Sequence, residues 1–187
     1  MNLIRLIGLY LALFTHTACD LIDNRHPSTK AAHKVIREFK EEMQKKYSLK
    51  AVSISEAGTK EVYTRMGIGF EINRTLSKDQ GRALLVKCLE AFIDKINSSK
   101  ELEEYLDPYP FSYDQISMSI IPVGVDRLGV ITPEIGIFQY GSGQIWYYKL
   151  TEENSYPISE EQNETYEEAF EKAQEYLKTH DLQAELK

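Results

Sequence analysis

Hydrophobic and polar residues follow two different periods along this chain. Over residues 30–47 the apolar positions recur every three to four residues, which predicts an amphipathic helix with Ser28 or Thr29 as its cap. The period then changes to two in KAVSISEAG and again in VYTRMGIGFEI. We therefore expect two strands, joined in a hairpin by a turn at residues 57–60.

A second helical pattern covers residues 77–97 and has the clearest start signal in the chain. Residues 77–80, Ser-Lys-Asp-Gln, form a capping box, in which the serine and glutamine side chains bond to each other's backbone N–H groups. The apolar residues of this stretch cover a wide face that includes Leu84, Leu85, Cys88, Phe92 and Ile96. A helix this apolar is expected in the core.

The rest of the chain adds strands and one more helix. One or two helical turns at 100–106 end at Asp-Pro-Tyr-Pro, and three β-rich segments follow at 115–123, 134–140 and 144–150. The last two are joined by Gly-Ser-Gly, a hairpin turn, and 163–180 has a helical period. The order α-β-β-α-β-β-β-α lacks regular βαβ alternation. We therefore expect an α+β fold with one antiparallel sheet of about five strands and helices packed on one face.

The first 18 residues have the pattern of a secretory signal peptide. Arg5 supplies a positive charge, nine apolar residues follow at 6–14, and small residues precede Cys19. The apolar run is shorter than the roughly 20 residues of a membrane span, so a retained signal anchor is the weaker interpretation. We expect a signal peptide at 1–18, a tether at 19–29 and a single α+β domain at 30–187.

Residues 16–19, His-Thr-Ala-Cys, resemble the lipobox of bacterial lipoprotein precursors. Thr17 and Ala18 fit that pattern, whereas His16 stands where an aliphatic residue is usual. The resemblance implies that a peptidase cuts before Cys19 once its thiol carries a diacylglycerol. The protein would then be exported and anchored by lipid in the cell envelope, facing the periplasm or the exterior. Asp20 is the residue that holds some of these lipoproteins at the inner membrane, and the choice of membrane stays open.

Two other interpretations of the exported chain stay open. A disulfide could join Cys19 to Cys88 in an oxidising compartment, although the apolar helix face around Cys88 is typical of a buried thiol. The sequons that begin at Asn73, Asn97 and Asn163 would accept glycans in a eukaryotic secreted protein.

Charge argues against a nucleic-acid partner. The net charge is −7, and residues 151–187 hold eleven acids against three lysines, while the rest of the chain is nearly balanced. Nucleic-acid binding normally needs a basic face. The acidic segment is read as the solvated face of a helix, and a contact surface for a basic partner is the alternative.

The residue patterns of common catalytic and metal sites are absent from the sequence. The four histidines lie in the signal region, the tether or near helix ends, so none is placed as the base for a nucleophile. There is no CxxC, HExxH or calcium loop, and we predict no catalytic residue, metal or cofactor. A carboxylate-based hydrolase is the enzymatic alternative, since two of the acids Glu71, Asp114, Asp126 and Glu134 could meet across the sheet.

The last hairpin offers the best candidate for a binding surface. We expect Phe138, Tyr140, Trp146 and Tyr148 to share one face of two adjacent strands, with Tyr147 on the other and Arg65 on the same outer face of the sheet. Cross-strand pairs that only stabilise the sheet are the alternative. The leading hypothesis is a lipid-anchored binding or interaction module with an envelope protein as partner. The carboxylate-based hydrolase is the second hypothesis, and a structural envelope component is the third.

Overall fold

The computed structural model describes residues 25–59, 61–124, 129–131, 133–151 and 158–186, in the last range with side chains from residue 162 onward. The predicted signal peptide, Cys19 and Asp126 lie outside these residues. The elements, in chain order, are α1 (Pro27–Tyr47), β1 (Lys50–Gly58), β2 (Tyr63–Ile72), α2 (Lys78–Asn97), α3 (Lys100–Glu103), a 3₁₀ turn (Tyr113–Gln115), β3 (Ile116–Pro122), β4 (Ile137–Gly141), β5 (Gln144–Leu150), β6 (Ile158–Thr165), α4 (Tyr166–Leu177) and α5 (Leu182–Glu185).

The predicted α+β class is confirmed, and the prediction of about five strands is approximately right, since the described sheet has six; it is not wholly antiparallel, because one pair of strands is parallel. Its order is β1-β2-β3-β4-β5-β6, so each strand pairs with the next one along the chain. The pair β2–β3 is parallel, with Met66 opposite Ile116, and the other four pairs are antiparallel. The parallel pair arises because α2, about 30 Å long, carries the chain back to the end of the sheet where β2 began.

The sixth strand, β6, lies in a segment for which the sequence predicted no strand, and its end overlaps the predicted first turn of the last helix. Its sequence, ISEEQNET, is polar because the strand forms an edge of the sheet. The following helix begins only at Tyr166, where Thr165 accepts a hydrogen bond from the N–H of Glu168 in a capping box. The local composition therefore did not predict this strand, although it pairs with β5 along nearly its whole length.

The helices pack on one face of the sheet. The Phe39 ring of α1 stacks on Phe92 of α2 with 4.7 Å between centroids and meets Phe70 of β2 edge-on at 5.8 Å. At the other end of the sheet, Tyr166 of α4 meets Tyr140 edge-on at 5.7 Å. The strand residues that point toward the helices are buried: Met66, Ile68, Phe70, Ile72, Ile116, Met118, Ile120, Phe138, Tyr140, Ile145 and Tyr147.

The N-terminal cap of α2 follows its sequence signal, whereas the cap of α1 does not. The capping box predicted at Ser77 is present, with Gln80 returning the hydrogen bond. At α1, however, the cap is His26 rather than Ser28 or Thr29, and Pro27 occupies the first helical position. Helix α1 therefore begins at Pro27, three residues before the predicted start of the helical pattern. Within the described ranges, no helix combines the length and the apolar character that crossing a bilayer requires.

Candidate functional site

The β4–β5 hairpin distributes its aromatic residues between the two faces of the sheet. Its turn has two residues, so that Gly141 pairs with Gln144 and Phe138 pairs with Tyr147. Because of this turn, each even-numbered residue of β4 pairs with an odd-numbered residue of β5. The two side chains of a pair point to the same face of the sheet. Phe138 and Tyr147 therefore point together toward the helices, with ring centroids 5.8 Å apart.

The predicted aromatic surface is thus divided. Phe138 and Tyr140 are completely buried under the helices, so the expectation that they share an outer face with Trp146 and Tyr148 is wrong. Trp146 and Tyr148 lie on the opposite face and are half-buried there. Arg65 is exposed on this same face, as expected, but it lies on β2, three strands away from β5.

We call the side of the sheet that faces away from the helices the open face. One row of paired residues crosses all six strands of this face, and at about 4.8 Å per strand it spans roughly 24 Å. From β1 to β6 the row contains Ser53, Gly69, Ser119, Gln139, Trp146 and Asn163. The row therefore presents serine hydroxyl groups and side-chain amide groups on either side of the sheet centre, with the indole ring of Trp146 on β5.

The β1–β3 part of the open face is flat because its central strand carries glycine. At Gly67 an added Cβ would lie only 2.1 Å from Ser117 Oγ and 2.4 Å from Ser55 Oγ, so any side chain there would push the two serines apart. These hydroxyls face each other across the glycine at 3.4 Å. Beside them is a shallow depression of about 70 Å³, whose lining includes Ser119 and Gln139.

A charged cluster between β6 and two helices is the second feature with chemical character. Glu164 of β6 and Arg82 of α2 are both almost fully buried, and Arg82 Nε donates to Glu164 Oε1 at 2.6 Å. The hydroxyl of Tyr147 donates to the same oxygen, while Lys172 Nζ donates to Oε2 at 2.5 Å. Arg82 also donates to Asp79. Each buried charge in the cluster is thus paired with the opposite sign.

The contacts within the cluster lower the pKa of Glu164 and raise the pKa of Tyr147. Burial alone would raise the pKa of Glu164, but hydrogen bonds from Lys172, Tyr147 and Arg82 outweigh burial and lower it. Burial raises the pKa of Tyr147, and its bond to Glu164 raises that pKa further. Lys78 Nζ lies 4.4 Å from the centre of the Tyr147 ring as a cation–π contact. Glu164 is therefore held as a carboxylate, which is the opposite of what a general acid needs.

Sequence reasoning missed this cluster because its partners are far apart in the chain. The one local signal was Arg82, a charged residue in the otherwise apolar stretch GRALLV of α2. Glu164 was counted among the solvated acids of the last helix. An open cleft of about 580 Å³ beside the cluster is lined by Asp79, Glu171 and Glu175 as well as by the two cations Arg82 and Lys172. Its three acids and two cations nearly balance, which is consistent with a structural role.

The acids named for a hydrolase are spread over the sheet. Glu71 lies near the end of β2 and is 3.6 Å from Lys50. Asp114 lies in the 3₁₀ turn that precedes β3. Because β2 and β3 are parallel and Glu71 pairs with Ile121, the level of Glu71 is five residues, or about 17 Å, along β3 from Ile116, and Asp114 lies beyond that end of the strand. Glu134 is exposed in the segment before β4.

Cys88 and Asn97 are two residues that the sequence marks as open to modification, and the structure describes the surroundings of both. Cys88 is completely buried, 3.5 Å from Met43 Sδ, and burial raises the pKa of its thiol; the predicted core thiol is confirmed. Asn97 of the second sequon donates from its amide to the Phe111 carbonyl at 2.8 Å and accepts from the Phe111 N–H at 2.9 Å. A glycan on Asn97 would disrupt this pair.

Metal ligation and relationship to other proteins add no further candidate. Among the described residues, no three His, Cys, Asp or Glu side chains come together as a metal site would require. No protein-family model, curated protein or solved structure matches the chain.

Proposed function

We propose that this chain is an exported, lipid-anchored binding module and that the open face of its sheet contacts an envelope protein. The observation that carries the proposal is the position of Trp146 and Tyr148, which are half-buried on the face that no described helix covers. Aromatic rings with a polar tip are enriched in protein interfaces because they bury a large area at a small entropy cost.

The surroundings of the two rings support recognition rather than catalysis. Gln139 is exposed directly opposite Trp146 in the β4–β5 pair, and Ser119 pairs with Gln139 on its other side. Amide and hydroxyl groups of this kind make adaptable hydrogen bonds around an aromatic centre. The one buried carboxylate among the described side chains, Glu164, lies on the helix side and is fully paired.

The anchor belongs to the same proposal. Pro27 follows Cys19 by eight positions, so even a fully extended tether reaches only about 28 Å. An acyl group on Cys19 would therefore keep the domain beside the membrane, where a partner in the same envelope is encountered often. Local confinement of this kind raises the effective concentration of the partner.

Intact mass and detergent partitioning test the anchor in a bacterial host. The expected product begins at Cys19, carries acyl chains and enters the detergent phase, while Cys19→Ser yields no acylated product. A soluble, unacylated product of the native sequence would contradict the anchor. A full-length product in the membrane would instead indicate a signal anchor.

Site-specific photo-crosslinking in the same host tests the open face. A photoreactive residue at Gln139 should give an adduct of discrete mass, and Trp146→Ala should reduce its yield. The control position is Glu41, which is exposed on α1, on the other side of the molecule. The same adducts at both positions, or none at Gln139, would contradict binding at this face.

A further inference from the structure

Helix α1 presents positive charge on the side that faces away from the sheet. It contains six lysine or arginine residues against three glutamates. Lys30, Arg37 and Lys40 follow one another at intervals of seven and three residues, which places them on one side of a helix with 3.6 residues per turn. Phe39, on the opposite side, is completely buried. We call the three cations the basic stripe; they outnumber Glu41, the acid that lies beside them.

The charges of the basic stripe are not neutralised by the described part of the chain. Elsewhere on α1, Lys46 pairs with Glu42 at 2.7 Å, and Lys34 pairs with Glu101 at 2.7 Å. Among the described residues, no carboxylate forms an ion pair with a member of the stripe. The stripe is therefore available to an anionic surface outside the chain.

The helices on the sheet differ in charge from one end to the other. In contrast to α1, helix α4 has four glutamates against one lysine. Phe39 of α1 packs on Phe70 of β2, whereas Lys172 of α4 bonds to Glu164 of β6. The basic and the acidic helix thus lie over opposite ends of the sheet. An anionic surface attracts the α1 end and repels the α4 end, so it favours one orientation of the domain.

We propose that the basic stripe docks on anionic phospholipid headgroups of the membrane that holds the anchor, and so orients the domain. The inference rests on the proposed acyl anchor, because the tether selects this occupant. Helix α1 begins eight positions after Cys19, and the tether reaches at most about 28 Å, so α1 is the element of the fold that follows the anchor directly. Lysine and arginine residues next to a membrane are attracted to its anionic lipids within roughly 10 Å of the surface.

Docking through α1 keeps the binding surface of the domain clear of the bilayer. The helices lie on one side of the sheet, so a membrane against α1 is on the opposite side from Trp146 and the open face. The acidic α4 end is held away from the headgroups. The docked orientation therefore presents the open face to a partner, which the acyl anchor and a flexible tether alone do not ensure.

Fluorescence quenching of the acylated chain in lipid vesicles tests this orientation. A fluorophore is attached to Gln44→Cys, beside the stripe on α1, or at two control positions, Glu171→Cys on α4 and Gln139→Cys on the open face; all three positions are exposed. Cys88 is buried and Cys19 carries the acyl group, so the label is confined to the new cysteine. A spin label on the lipid headgroups is the quencher.

The proposal predicts quenching that depends on both position and lipid. In vesicles that contain phosphatidylglycerol, the Gln44 position should be quenched several-fold more than the two controls. In vesicles of phosphatidylcholine alone, which carry no net charge, this difference should disappear. Equal quenching at all three positions in phosphatidylglycerol, or strong quenching at Gln44 in both lipids, would overturn docking by the stripe.

Charge removal tests which cations are responsible. Arg37→Gln combined with Lys40→Gln should lower the ratio of docked to undocked molecules by about 25-fold, since each cation near an anionic membrane contributes about a factor of five. The matched control, Arg65→Gln combined with Lys178→Gln, removes one arginine and one lysine elsewhere and should leave the ratio nearly unchanged. Equal losses in the two double variants would mean that only net charge matters and would overturn the assignment to α1.

Flotation of the protein with the same vesicles separates this proposal from that of the anchor. An acylated chain floats with phosphatidylcholine whatever its orientation, so a chain that floats without preferred quenching at Gln44 overturns docking alone. A chain that does not float with phosphatidylcholine lacks the anchor. Such a chain still supports the stripe if it floats with phosphatidylglycerol and Arg37→Gln with Lys40→Gln abolishes this; otherwise both proposals are overturned.

Discussion

Arg82 of α2 and Glu164 of β6 form a salt bridge of 2.6 Å in which both side chains are almost fully buried. The pair joins the central helix to the edge strand, and Tyr147 and Lys172 complete the coordination of the carboxylate. A buried ion pair adds little net stability compared with apolar residues of the same size, but removing one partner is costly because the other charge stays buried. The bridge thus fixes how β6 sits against α2.

Replacing Arg82 with leucine should therefore lower the free energy of unfolding by about 3 kcal/mol. Urea unfolding, followed by the fluorescence of Trp146, the single tryptophan, measures this change. The matched control is Lys34→Ala, which removes an ion pair to Glu101 whose side chains are 47% and 62% exposed; because solvent screens this pair, its loss should cost far less than the loss of Arg82. Equal losses in the two variants would contradict the structural role of the buried pair.

The stability of the domain should fall in acid through Glu164. Because its pKa is lowered by folding, its contribution is fully present above the unfolded value of about 4.3 and is lost as the pH falls through the folded value. The difference in unfolding free energy between the native chain and Glu164→Gln should be constant above about pH 5 and shrink below pH 4. Chemical unfolding at a series of pH values measures it. A difference that stays constant down to pH 3 would show that Glu164 does not titrate this way.

Gly81 is the position where alanine should be least tolerated in α2. Alanine normally stabilises a helix relative to glycine by about 1 kcal/mol, but a Cβ on Gly81 would lie 2.1 Å from the Phe138 ring. We expect Gly81→Ala to destabilise the domain by about 1–3 kcal/mol, measured by thermal unfolding. Gly141→Ala is the control, since the nearest atom to its Cβ is 3.9 Å away. A more stable Gly81→Ala variant would refute the close packing described for this helix.

Thiol counting with a disulfide reagent should separate the two cysteines. Cys88 is completely buried and its thiol pKa is raised, so it should react only after denaturation. If Cys19 is acylated, the native protein should show no reactive thiol and the denatured protein one. Cys19→Ser should leave both counts unchanged in that case. One fast thiol in the native protein that disappears in Cys19→Ser would mean that Cys19 is not acylated.

Periodicity predicted most of the elements because their apolar faces are strong and local. It located α1, α2, β1, β2 and the β4–β5 hairpin close to their observed ends. It failed at β6, where an edge strand with acidic residues has no apolar pattern. Strand direction also could not be read locally, since the parallel β2–β3 pair depends on the length of α2 rather than on residues of either strand.

Prediction of the candidate site from the sequence was limited for a different reason. The aromatic residues of the hairpin were found, but their division between the faces follows from a turn of two residues rather than from the side chains. Because Gly141 pairs with Gln144, Phe138 pairs with Tyr147. The predicted alternation of side chains within each strand was therefore correct, but the prediction of which residues of β4 share a face with which residues of β5 was wrong. The Arg82–Glu164 pair joins residues far apart in the chain, and no local pattern indicates such a contact.

The parallel β2–β3 pair also has a consequence for the order of folding. The β1–β2 hairpin and the β3–β6 strands each form through contacts between neighbours in the chain, which close small loops. The β2–β3 pair instead joins Met66 to Ile116 and encloses α2. Closing that loop costs more chain entropy, and non-local pairings of this kind slow folding. We therefore expect the two antiparallel parts to gain protection from hydrogen exchange first, and the ladder between them to form last, once α2 covers both.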